Sequence, residues 1–192
     1  MTERPSVQRS GQFLVLADEI EQLAQLTTPT PAQVDRVMLL LSVPSNRRHF
    51  FQYASGSWLP ILWDKEKFVM FEEPKPGDDG NYYASSWDAA RYFIQFSGLQ
   101  PEVTLDIIKS IETDNWLVIH DLAEALKSLP EDILIEAIPF VNRWMTSRFF
   151  SASMASFALI ELLDQRVSKQ EWKTALQLFE ILTKWETGNG KS

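Results

Sequence analysis

The chain contains no cysteine, which excludes disulfides, thiolate nucleophiles and thiolate metal sites. Histidine is almost as scarce. His49 and His120 are the only two, and neither stands at ligand or triad spacing from a carboxylate or from the other. His120 and Asp121 are sequence neighbours, which on a helix point about 100° apart and form no dyad. Basic side chains are also in deficit, with 18 Lys and Arg against 26 Asp and Glu and a net charge of −8. Such a field repels phosphate backbones, so nucleic acid is disfavoured as a partner. No apolar run approaches the ~18 residues of a membrane span, and MTERPSVQRSGQ has no signal-peptide core. The expectation is a cytoplasmic protein with no membrane association.

Two near-motifs fail on inspection. Glu72, Glu73, Asp78, Asp79 and Asn81 lack the alternating ligands and closing glutamate of a calcium loop. Gly190-Lys191-Ser192 ends like a phosphate-binding loop, but Trp185 occupies the place of its first glycine. Carboxylates such as Asp18, Glu19, Glu131 and Asp132 sit at helix starts and outer faces, where they favour helix ends and solubility. No catalytic residue, metal ligand or cofactor is expected.

What is present is apolar periodicity in a chain of 192 residues, 45% hydrophobic and 23% charged, enough for a substantial core. Leu16, Ile20, Leu23 and Leu26 recur at helical spacing, and Thr30-Pro31 opens a second helix carrying Val34, Val37, Met38 and Leu41. Pro44 is expected to stop that helix and Ser45 to cap a third with Phe50, Phe51 and Tyr53. A short stretch from Trp58 to Lys67 follows. From Phe68 to Ser86 the rhythm fails among prolines, glycines and acids, so 68–86 reads as a long loop, held at its aromatic ends and free at its acidic centre.

Helices then follow in regular succession. Ser86 caps Trp87 to Ser97; Pro101 opens a helix with Val103, Ile107, Ile108 and Ile111 inward; Asp114 or Asn115 caps Trp116 to Leu129. Pro130 starts another, bent or split at Pro139. The last two run from about Phe149 to Val167 and from about Ser168 to Trp185, and Trp172, Leu176, Phe179 and Leu182 share one face. The class is all-α, as one helical domain over 13–186 between flexible ends at 1–12 and 187–192.

The segments QPEVTLDIIKSIETDN and LPEDILIEAIPFVNRW share a Pro-Glu start, an apolar stripe and a closing turn, and begin 29 residues apart. A unit of two antiparallel helices that stacks on the next would give this pattern. With Pro139 inside a helix, the chain from about Trp87 to Trp185 resembles a short HEAT-like α-solenoid; an irregular helical bundle is the alternative. The resemblance implies a scaffold or adaptor and transfers no functional residues.

Aromatics are concentrated between Phe50 and Phe96, about a quarter of the chain holding more than half of its rings. Aromatics supply large contact area and are enriched in interfaces, so Trp58, Trp63, Phe68, Phe71, Tyr82, Tyr83 and Trp87 are the candidate partner-binding residues, a local core being the other reading. The expected function is a non-catalytic protein-binding module, an adaptor or subunit of an assembly. The alternatives are a nucleic-acid processing enzyme on a HEAT-like frame, which needs a converging basic face, and a self-associating structural domain. Removing divalent cations with a chelator should leave the melting temperature unchanged, and a fall on chelation would reveal a structural metal.

Overall fold

The computed structural model describes residues 16–189. The arm expected over 1–12 and the final residues 190–192 lie outside them. The described residues are predominantly helical and fall into two compact units that divide between Phe68 and Val69.

In the first unit, α1 (described over 16–24), α2 (Pro31–Leu40), α3 (Pro44–Tyr53) and α4 (Trp58–Asp64) enclose an aromatic core. Local chemistry sets the helix starts. Thr30 Oγ1 accepts the Gln33 amide and the Gln33 side chain accepts the Thr30 amide, a reciprocal cap reinforced by Pro31 at the first helical position. Pro44 opens α3 behind Val43, so Ser45 lies inside the first turn and does not cap it. Proline suits that place because its missing N–H would have no helical partner. Phe50 meets Trp58 edge-on at 5.4 Å and Phe51 meets Phe68 at 6.0 Å, with all four rings buried. Ser55 Oγ and Ser57 Oγ both donate to the Leu26 carbonyl, tying the end of α3 to the turn after α1.

The second unit begins with the segment read as a loop. It is irregular except for a two-residue antiparallel ladder, β1 (Lys75–Pro76) with β2 (Tyr82–Tyr83), closed by a turn in which Gly80 takes a φ of +79° that suits glycine. The acidic centre expected to be free is engaged. Asp79 accepts bonds from the Tyr83 hydroxyl and the Asn81 side chain, which hold its carboxyl below the usual range, and Glu73 accepts from the Thr113 hydroxyl and the Asp114 amide. The reason is distance in sequence: Glu73 finds its partners 40 and 41 residues away.

Six helices follow: α5 (Ala90–Phe96), α6 (Pro101–Ser110), α7 (Trp116–Leu126), α8 (Glu131–Met145), α9 (Ala155–Ser168) and α10 (Trp172–Asn189). α5 starts three residues later than expected, after a turn over 87–89, and a 3₁₀ turn at Phe150–Ala152 precedes α9. α10 continues past the expected limit at 186. α7 packs on α5 and α9, and α8 packs on α6 and α10; α9 and α10 also pair. Gly98 lets the turn after α5 approach the end of α7, where an added Cβ would meet the Ser128 carbonyl at 2.7 Å.

α7 is buried along one side through Val118, Ile119, Leu122, Ala123, Ala125 and Leu126 and is gripped at both ends. At its start the fully buried Asn115 accepts the amides of Leu117 and Val118 through Oδ1, and its Nδ2 donates to the carbonyls of Glu72 and Ser85. At its end Arg166 of α9, 1% exposed, donates through Nη2 to the carbonyls of Leu126, Lys127 and Leu129, while its Nη1 pairs with Glu171 at 2.8 Å. These are the carbonyls that a helix end leaves without partners. Arg166→Ala should cost about 3–5 kcal/mol in a denaturant melt, because it strands Glu171 and three carbonyls. A loss below 1 kcal/mol would show that water replaces the guanidinium.

Candidate functional site

The expected partner-binding residues separate by burial. Trp58 and Phe68 lie in the interior at 0% exposure and offer no contact surface, and Trp87, at 3%, offers almost none. Their rings are core: the first two belong to the aromatic cluster of the first unit, and Trp87 packs against Phe71 and Phe93 in the second. Trp63 and Phe71 are half-buried. Tyr82 is half-covered by Phe149 at 4.9 Å and lies under the Arg148 guanidinium, whereas Tyr83 is 59% exposed with its hydroxyl held by Asp79. The seven residues therefore do not form one surface. Large rings were the right signal for tight packing of the loop ends, and ring type alone does not distinguish core from interface.

Three other features carry more exposed chemistry. The first is a cavity of ≈550 Å³ lined by Glu73, Glu112, Thr113, Asp114, Arg143 and neighbours. Its carboxylates are all in use: Glu73 on Thr113 and the Asp114 amide, Glu112 on Arg143, and Asp114 on Ser147 and the Arg148 amide. Engaged in that way they join loop, α7 start and α8 end, and none is poised as an acid or base. Among the described residues no group of three His, Asp or Glu is placed to hold a metal ion, and no helix is long and apolar enough to cross a membrane.

The second is a groove of ≈460 Å³ between α5 and α7, with Trp87, Ala90, Ile94 and Leu117 as apolar walls and Arg91, His120 and Asp121 beside them. Burial, and secondarily the nearby Glu124 carboxylate, push the Asp121 carboxyl up to about 7. No hydrogen bond or ion pair reaches that carboxyl among the described residues, and His120 Nδ1 is buried without a partner. Sequence spacing shows only that the two form no dyad. The periodicity of α7 held a signal, since Asp121 stands beside the apolar stripe of Val118, Leu122 and Ala125.

The third is an apolar outer face on the last two helices. Trp172, Leu176 and Phe179, expected simply to share a face of α10, are 57%, 62% and 54% exposed, while Thr174, Ala175 and Leu178 form the buried side. On α9, Phe157 and Ile160 are likewise 60% and 53% exposed.

No known protein family, no curated protein and no solved structure matches this chain.

Because Asp121 titrates near 7 in the folded chain and near 3.8 when unfolded, the folded state binds the extra proton between those values. Its contribution to stability falls as pH rises through that window and stays low above it. Asp121→Asn should therefore raise the melting temperature relative to the native chain by about 2–4 °C at pH 8 and leave it unchanged at pH 3.5. Equal effects at both pH values would place the carboxyl in open solvent.

Proposed function

We propose that this chain is a non-catalytic protein-interaction module built on a short HEAT-like α-solenoid in its second unit. The packing of α7 between α5 and α9, and of α8 between α6 and α10, supports two stacked rows of helices, as paired-helix repeats produce. Proline at the start of α6, and Pro139 within α8, supports the HEAT-like reading.

The observation that carries the function is the outer face of α10. Trp172, Leu176 and Phe179 follow each other at four and three residues, so they form one seam, and three large exposed side chains on one seam are the kind of patch that marks a contact surface. The nucleic-acid enzyme finds less support. Among the described residues several basic side chains are occupied by carboxylates, Arg36 by Glu19, Lys109 by Glu136, Arg143 by Glu112 and Lys127 by Glu124 and Glu161, and with a net charge of −8 this favours a weak field for phosphate.

Self-association is favoured by a second observation on the same helix. The exposed Lys173 and Glu180 flank the seam seven residues apart, so an antiparallel copy centred near Leu176 would set each lysine against the other copy's glutamate. A photo-crosslinking residue at position 176, introduced in the cells that make the protein, separates the readings. A discrete adduct with another protein is expected, absent when the probe sits at the polar position 102. Leu176→Asp with the probe at 179 should reduce it at least about tenfold while the melting temperature stays within about 2 °C. An adduct of two copies alone would establish self-association, and no adduct would refute the interaction role of α10.

A further inference from the structure

The α5–α7 groove has the two halves of a recognition site for one kind of side chain. Its walls are apolar: the Trp87 ring, the Ala90 and Ile94 side chains of α5, and Leu117 of α7. Its charged groups are the Arg91 guanidinium and the half-buried Asp121 carboxyl, and no cation among the described residues, Arg91 included, pairs with that carboxyl. An aliphatic stem with a compact positive tip would satisfy both, the stem covering apolar wall and the tip replacing the water that the carboxyl has lost. We propose that this groove is a socket for a lysine side chain presented by a protein partner, with the ammonium on Asp121 and the four methylenes along Ile94 and Leu117.

Charge complementarity selects this occupant. A chain of net charge −8 draws basic segments towards it. Locally, the raised Asp121 titration shows a carboxylate that is costly to ionise by itself, and a bound ammonium removes that cost. The ionisable groups around it are Arg91 on α5 and His120 and Glu124 on α7. Arg91 forms no ion pair with Asp121. Glu124 is shared with Lys127, and Lys127 also holds Glu161 on the α9 side. Asp121 is thus an acceptor that no lysine among the described residues has taken.

The proposal rests on the protein-binding reading but uses a different surface from α10, so the two can fail separately. The probe is N-acetyl-lysine methylamide, titrated into the full chain and followed by amide NMR shifts at Ile94, Leu117 and Asp121. Saturable shifts are expected at pH 8.5, with the ε-acetylated analogue inert. At pH 6 the apparent affinity should be about tenfold weaker, since only about a tenth of a carboxyl titrating near 7 is ionised there. Asp121→Asn should abolish the shifts at both pH values. Equal binding of the ε-acetyl analogue, binding retained in Asp121→Asn, or no shift at either pH overturns the socket. A pH dependence that persists in Asp121→Asn would assign the titration to His120 and overturn it too. Hexylamine binding where the lysine amide does not would make the site one for free amines, against a protein source. A failed socket leaves crosslinking from position 176 untouched, and a silent position 176 leaves the lysine titration readable.

Discussion

The grip on the two ends of α7 is the constraint on which the second unit depends. A helix packed between neighbours buries its terminal amides and carbonyls, and each buried polar group without a partner costs about 1–3 kcal/mol. Asn115 satisfies the start of α7 and Arg166 the end, and both reach outside their own helix to do so. Asn115 ties the irregular segment at Glu72 and Ser85 to α7; Arg166 ties α9 to α7 and, through Glu171, to the start of α10. One helix thereby sets the positions of the loop, of α5 and of the pair that carries the outer apolar seam.

Order in the irregular segment comes from the same source. Two residues of ladder on each side contribute little by themselves, since an isolated short hairpin is marginal in water. What holds the segment is a set of polar contacts to the α7 start and the α8 end, with aromatic packing laid over them. Glu73 caps the turn at Thr113 and Asp114, Asp114 in turn receives Ser147 and the Arg148 amide, and the Arg148 guanidinium lies 4.7 Å from the centre of the Tyr82 ring. Acids that look like a solvated charge run are therefore structural, and burial of Trp87 under Phe71 and Phe93 supplies the apolar part.

A physical division of labour follows from this packing. Where acids and bases pair, as along Lys109–Glu136 and Arg143–Glu112, the surface is electrically quiet and solvated. Among the described residues, the seam of α10, apolar and exposed, and Asp121, acidic and without a partner, depart from that rule. Exposure of large apolar groups and isolation of a half-buried charge both cost stability, and each cost falls when something covers it. Neither feature helps the chain fold, and the proposed binding role rests on both.

The sequence by itself determined the helical class, the starts of α2, α4, α6, α7 and α8 and the irregular character of 68–86, because these depend on residues three or four apart. Thr30 with Gln33, Asn115 with Leu117 and Val118, and proline at first helical positions are local bonds and local sterics, readable from spacing. Periodicity also showed that Trp172, Leu176 and Phe179 share a face, but a period does not say which way the face points. Only the packing of Ala175 and Leu178 into the body turned it outward. Likewise Arg166 meets the carbonyls it holds only once α9 is laid beside α7, and His120 and Asp121 become parts of a groove only once α5 walls them in. Burial, the partners of a charge and the direction of an apolar face are set by residues tens of positions apart, and tertiary structure alone brings those together.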